Sequence, residues 1–370
     1  MLIVDAHQDL AWNMLSFGRD YTQSAQQTRN QEQGTLVAVN DDTMLGWPEY
    51  QSGQVALIFA TLFATPQRFC TGVWDRLCFD DASQAKRLYW EQVDVYERLV
   101  DENPAKFQLI RTLSDLEGLL AAWETPPTSD EVPSLSQNGN PVGLLLSMEG
   151  AEAVSHPGEL EQWWERGLRL VGPAWHGNRF CGGTGEPGPM TSEGYALLEM
   201  MAELGFGLDL SHMDEQAVLQ ALDVYPGQII ASHSNALALL NGSKANRLLS
   251  NRVIQGIIER DGMIGVVPFN AFLKYRWMRG DRRDEVTIDP FIAQIDYICQ
   301  MAGDAMHVGI GTDFDGGFGW QSVPVGIETI ADLQILAPRL SQKGYMTQDI
   351  TAILAGNWIS RLRKVLPKNL

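Results

Sequence analysis

Apolar residues along the chain gather into short continuous runs separated by amphipathic stretches. Eight runs read as strands: Leu2–His7, Val55–Phe63, Val142–Met148, Leu168–Trp175, Phe206–His212, Gln228–His233, Met263–Phe269 and His307–Thr312. Most are apolar throughout rather than at alternate positions, as expected for strands buried on both faces of a parallel sheet. Between them the period lengthens. Ala85–Asn103 carries Leu88, Tyr89, Val93, Tyr96 and Leu99–Val100 at near-helical spacing. Leu113–Trp123 begins at a capping-box pattern, Ser114 with Glu117. Ser192–Leu204, Glu215–Val224, Ala245–Arg260, Pro290–Ala302 and Gln348–Val365 also read as helices, the last with Thr347 as its N-cap.

Eight strands alternating with helices predict an α/β protein, a (β/α)8 barrel forming a single domain over residues 1–370. The competing architecture is a doubly wound open sheet. That fold advertises a phosphate-binding glycine fingerprint after its first strand, and HQDLAWN has none. Two stretches read as loops. Pro126–Pro141 precedes the third strand and belongs to the N-terminal mouth of the barrel, away from any chemistry. Gly177–Pro189 follows the fourth strand, where it either shapes a site or merely connects.

Composition narrows the picture. Acids outnumber bases by 46 to 27, for a formal charge of -19, which opposes binding to nucleic acid or anionic lipid. No apolar run approaches the ~20 residues that span a bilayer. The first residues lack a basic stretch followed by an apolar region, so the expected location is the cytoplasm. Cys70, Cys78, Cys181 and Cys299 show no CxxC or zinc-finger spacing and read as thiols in a reducing compartment. A Cys70–Cys181 bridge stays open, because both residues fall in loop-like regions.

Barrel enzymes carry their chemistry at the C-terminal ends of strands. Here those ends read DAHQD, SMEG, DLSH, ASH and GTDFDG, supplying His7, Asp9, Glu149, His212, His233 and Asp313. Three of the six histidines fall there. Taken singly, each suits packing or a solvated rim. Gathered on one rim beside an apolar core, they carry a desolvation cost of several kcal/mol that packing does not offset. Imidazoles and carboxylates without thiolate suit zinc or a similar divalent ion. Five ligands exceed what one tetrahedral catalytic zinc accepts. Two ions fit better: His7 and Asp9 on one, His212 and His233 on the other, and Glu149 bridging, with Asp313 as an acid beside them. His307 begins its strand, at the wrong end for catalysis, and reads as structural; His156 reads as a loop residue.

DAHQDLAW, SMEG, LDLSH, IASHS and HVGIGTDFDGG, in this order, resemble the membrane (renal) dipeptidase family of zinc peptidases, within the metal-dependent amidohydrolase barrels. The similarity runs from the first strand to Gly356–Trp358. It implies that His7 and Asp9 bind one zinc, His212 and His233 the second, and that Glu149 bridges them. Asp313 matches the proton shuttle. Arg247, in ANRLLSN, matches the arginine that holds the substrate carboxylate, although about three extra residues separate it from His233. A guanidinium fork suits that task. Some positions depart from the family pattern. The family histidine at the end of the fourth strand, which steadies the scissile carbonyl, is Trp175 here with His176 next to it. Either His176 takes the role or the role is lost. A family tyrosine near the seventh strand reads Asn270, and the segment after the third strand reads GAE.

The implied reaction is hydrolysis of a dipeptide by a metal-bound hydroxide on two zinc ions, with manganese or cobalt as alternative occupants. The resemblance also suggests a homodimer. It does not bring the family's membrane attachment, since RKVLPKNL is not an apolar tail of the lipid-anchor type. Two other readings stay open: an amidohydrolase acting on N-acyl amino acids or lactams, and a catalytically silent metal-binding protein.

Overall fold

The structure is a computed structural model, in which residues 1–32, 35–124 and 139–368 are described. Eight parallel strands close into a barrel: β1 (Ile3–Gln8), β2 (Val55–Leu62), β3 (Val142–Glu149), β4 (Leu168–Gly172), β5 (Gly207–Asp209), β6 (Ile229–Ala231), β7 (Met263–Val266) and β8 (Val308–Ile310). Each pairs with its sequence neighbours, and β1 pairs with β8 to complete the ring. The expected fold is therefore the observed one. A further strand, Phe107–Leu109, flanks the lower half of β3; at three residues it is too short for its periodicity to stand out.

The apolar runs divide by strand face into two cores. Val4, Leu57, Phe59, Leu145, Leu170, Ile230 and Met263 fill the barrel interior, together with Trp358, Ile359 and Leu362 of the C-terminal helix. Ile58, Ala60, Ile264, Val266, Val308 and Ile310 pack outward against the helical layer. Trp358 is fully buried, stacks edge-on against Phe59 and donates from its indole to the Ile310 carbonyl. Gly309 makes room for it: a Cβ there would lie 2.3 Å from the indole nitrogen. The C-terminal helix thus stops the floor of the barrel, leaving the opposite end for the site.

Local details depart from expectation in several places. The helix expected over Ala245–Arg260 spans only Asn251–Glu259, because the Ser250 side chain accepts from the Val253 amide and caps it there. Arg247 therefore lies in the irregular segment before the helix. The helix Leu113–Glu124 is capped by Thr112 with Asp115, not by Ser114 with Glu117; Glu117 instead pairs with Arg363. Thr347 is the first helical residue rather than the N-cap of the last helix, whose middle turn, Ala352–Gly356, is a π-helix.

Gly177–Pro189 holds all but the last residue of a hairpin, Cys181–Gly183 paired antiparallel with Glu186–Met190. Of the loop expected over Pro126–Pro141, residues 126–138 lie outside the described ones. The Cys70–Cys181 bridge is not formed. Cys70 pairs with Cys78, eight positions away, while Cys181 and Cys299 are buried and free. The reading of all four as thiols thus fails for the first two: their Cα atoms are 6.3 Å apart, within disulfide reach. Among the described residues no helix is long and apolar enough to cross a membrane.

Candidate active site

The upper rim of the barrel gathers the strand ends. A β-bulge sets the first of them. Between the pairs Asp5 with Ile58 and Gln8 with Ala60, β1 carries one residue more than β2. Asp5 and Gln8 consequently lie on the same side of the strand and hydrogen-bond to each other at 2.6 Å. Simple alternation would have put them on opposite faces. The bulge turns His7 toward the barrel interior, where Thr61 of β2 meets its Nδ1 at 3.3 Å. Asp9 follows just beyond the strand, at the N-cap position of the helix Leu10–Phe17.

Glu149 ends β3 and sits between two groups. Its Oε2 is 3.4 Å from His7 Nε2. Its Oε1 is 2.9 Å from His212 Nε2 and 3.4 Å from His233 Nε2. Asp9 and Asp313 approach the same nitrogen of His7, at 3.6 and 3.7 Å. His7, Asp9, Glu149, His212, His233 and Asp313 are thus brought together on one rim.

Hydrogen bonds to the far ring nitrogens favour one tautomer at each of two histidines. The Ser232 hydroxyl donates to Asp209, so it accepts from His233 Nδ1, 2.7 Å away. Thr184, at the hairpin tip, directs its hydroxyl to the His212 carbonyl and accepts from His212 Nδ1 at 3.0 Å. With both protons on Nδ1, both Nε2 lone pairs face inward. The two Nε2 atoms are only 3.1 Å apart and share Glu149 Oε1 as a neighbour. With these tautomers three lone-pair acceptors converge. A cation resolves that repulsion. Ligands bound tetrahedrally at ~2.1 Å stand roughly 3.4 Å apart, which the separations here approach. His7 Nε2 and Asp9 Oδ1 are buried and have no hydrogen-bond partner among the described residues. The donor set, imidazole nitrogen and carboxylate oxygen, fits zinc or a similar divalent ion.

Electrostatics agree. Burial works against a charge on His7, yet Glu149 and Asp9 together hold its pKa well above the usual value. Positive charge is therefore favoured at that point. Burial, reinforced by Arg247, pushes His212 down to about 4 and His233 well below the ordinary range, so these two present lone pairs rather than protons. Burial alone would raise Glu149, but His7 and His212 outweigh it and keep the carboxyl well below its usual range. Asp313 is raised well above the carboxylate range by burial, with Asp9 and Glu149 adding to the effect.

The backbone is shaped to the same end. His212 and Asp313 both adopt left-handed conformations, φ 68° and 58°. Such strain in non-glycine residues concentrates at functional sites. Gly316 clears space: a Cβ there would lie 2.1 Å from Asp313 Oδ1 and 2.9 Å from Asp9 Oδ2. The second acid of DFDG, Asp315, points away and is buried against Arg19 at 2.9 Å.

A cavity of about 320 Å³ opens above the cage. Asp9, Glu149, His212 and Asp313 line it, walled by Trp12, Phe63, Phe69, Trp74 and Trp175. His176 is not among the lining residues; its ring stacks on Phe69 with centroids 3.7 Å apart. Arg247 is buried beside the cage, donating to the Ser234 hydroxyl at 2.8 Å and the His233 carbonyl at 2.6 Å. Asn270 is buried and donates to the Val323 carbonyl. His307 binds the Gly262 carbonyl at the far end of the barrel, and His156 is exposed beside Glu159.

Sequence reasoning missed the supports. Asp209 and Ser232 lie inside the LDLSH and ASH motifs, where their neighbours drew notice first. Thr61, Thr184 and Gly316 carry no local signal beyond proximity to a strand end.

Comparison with known proteins gives a consistent picture. The sequence profile of the membrane dipeptidases, peptidase family M19, matches residues 1–367. A Klebsiella pneumoniae protein from the pqqA 5′ region, itself uncharacterised, is 27% identical over 288 residues, covering 75% of this chain and 96% of its own length. Two solved structures share the fold. One is a Rhodobacter sphaeroides metallopeptidase liganded with a phosphinate mimic of the dipeptide L-Ala-D-Ala, at 21% identity, TM-score 0.77 and 99% coverage of both chains. The other is the probable dipeptidase PvdM of Pseudomonas aeruginosa, at 18% identity and TM-score 0.75, covering 99% of this chain and 95% of that one. The chain belongs to the membrane dipeptidase family, peptidase family M19, and is a metal-dependent dipeptidase on a (β/α)8 barrel.

Proposed function

We propose that this dipeptidase works with two divalent ions, zinc by its donor chemistry, held by His7 and Asp9 on one side and by His212 and His233 on the other, with Glu149 between them. The observation that carries the reading is the convergence of His212 Nε2, His233 Nε2 and Glu149 Oε1 within 3.4 Å of one another. Bound there, such ions supply a Lewis acid for the scissile carbonyl and bring a water's pKa near neutrality.

The chain's own residues do the rest. Asp313 projects into the cavity beside Asp9 and His7 and takes the proton of the attacking water. From that position it can hold the proton and pass it to the departing amine. Arg247, fixed by Ser234 and the His233 carbonyl, binds the terminal carboxylate of the substrate with its remaining N–H groups. That limits substrates to short ones. The aromatic wall keeps bulk water from the reacting atoms. Trp175 occupies the wall next to His212, so no oxyanion role is given to His176.

The test combines elemental analysis with a panel of dipeptides, set against N-acyl amino acids and lactams. Two zinc per chain and turnover of dipeptides are expected. In Asp313→Asn the metal content should stay near two while kcat falls by about 10²–10⁴. Full activity in that variant removes Asp313 from the mechanism. One metal per chain at full activity removes the binuclear centre.

A further inference from the structure

Across the barrel from Arg247, the loop after β2 makes a second charged feature that the cage does not use. β2 and β6 stand opposite each other in the ring of eight strands. Arg247 follows β6 and Asp75 follows β2. A dipeptide whose carboxylate reaches toward Arg247, with its scissile carbonyl over the cage, extends its amino-terminal residue toward the β2 loop.

That loop is built to receive something. The Cys70–Cys78 bridge closes it, and it carries Trp74 and Asp75 onto the cavity wall. Asp75 is 8% exposed. The Thr65 hydroxyl and the Leu77 amide donate to its carboxylate, but its Oδ1 has no hydrogen-bond partner among the described residues. No cation of the wall neutralises it: Arg279, which also lines the cavity, is committed to Asp41 at 2.8 Å. Trp12, Phe63 and Trp74 line the same cavity. Trp12 meets Trp74 and Phe63 edge-on, each with centroids 6.3 Å apart. Indole faces attract a cation, and apolar walls cover a methylene stem. A cavity that offers this carboxylate, facing no free cation, together with aromatic walls suits a long aliphatic side chain with a positive tip.

We infer that Asp75 is a specificity-determining residue that pairs with a cationic side chain on the amino-terminal residue of the substrate, so that dipeptides beginning with lysine or arginine are preferred. The inference rests on the dipeptidase reading above.

The test compares lysyl-alanine with norleucyl-alanine, which keeps the stem and lacks the charge, on the zinc-loaded full chain. The parent enzyme should favour lysyl-alanine by about tenfold in kcat/KM. Asp75→Asn keeps an acceptor for Thr65 and Leu77, so a merely structural role would leave the preference unchanged. In that variant the preference should shrink to under about threefold through a raised KM for lysyl-alanine, with norleucyl-alanine unaffected. Equal rates on both substrates in the parent overturn the inference, as does an equal loss on both in the variant. Cleavage of norleucyl-alanine without preference sinks this inference alone. Failure to cleave either dipeptide, with N-acyl amino acids turned over, sinks the dipeptide reading and this one with it.

Discussion

Replacing Gly316 by alanine isolates the geometry of the cage from its chemistry, because no titrating or ligating group changes. Gly316 has no left-handed φ, so the backbone itself accepts alanine. The obstacle is the new methyl, which would stand 2.1 Å from Asp313 Oδ1 and 2.9 Å from Asp9 Oδ2. Real Cβ contacts do not fall below 3.0 Å, so the Asp313 carboxylate must retreat by about 0.9 Å. A misplacement of about 1 Å in a reacting group costs roughly 100-fold in rate. Asp9 needs only a slight adjustment, so the cage itself should survive. The expected result is kcat down by about 10²-fold, with metal content near that of the parent and little change in thermal midpoint. Steady-state kinetics on a dipeptide, elemental analysis and a thermal melt read the three quantities. Activity within about threefold of the parent would falsify the claim that Asp313 must stand where it does. Loss of metal instead would mean that Asp9, not Asp313, gives way.

Three further outcomes follow from other parts of the molecule. Burial raises Glu152 from its ordinary 4.5 to about 7, so the folded state favours its protonated form. Stability from this group is complete below pH ~4.5 and is lost as pH rises through ~7; discounted for partial exposure, it is worth about 1–3 kcal/mol. Glu152→Gln should therefore raise the thermal midpoint at pH 8 but not at pH 4, and an unchanged pH profile would exclude this residue as its source. Trp358→Ala should cost about 3–5 kcal/mol in chemical denaturation, as for other large buried aromatics; a loss under about 1 kcal/mol would mean that the indole does not fill the barrel floor. Glu149→Gln should release metal and slow turnover together, and full metal content there would leave the bridging role without support.

Much of the architecture was legible because its signal is redundant. Eight apolar runs separated by amphipathic stretches admit few folds, and small errors at each boundary do not change the answer. The cage was legible because histidines are scarce and three of them fall at strand ends. What stayed hidden depends on single residues or on three-dimensional proximity. Alternation along β1 puts His7 and Asp9 on one face, yet the inward turn of His7 comes from a bulge that leaves no mark in the sequence. Ser250 truncates a helix that periodicity extends back to Ala245. The Cys70–Cys78 bridge went unread: four cysteines without CxxC or zinc spacing read as thiols, and their spacing does not fix a pairing. His176 resembled a shifted catalytic residue, whereas its stacking on Phe69 turns on a loop conformation no local pattern encodes.

The closure of β1 onto β8 has a consequence for biogenesis. His7 and Asp9 leave the ribosome first, but the strand that seals their side of the ring ends at Ile310, and the indole that stops the floor arrives only with residue 358. A nascent chain therefore carries all five candidate ligands by residue 233 yet cannot close the ring around them until β8 is made. A truncation that removes the helix Asn357–Val365 should leave the barrel floor open and the cage unsupported.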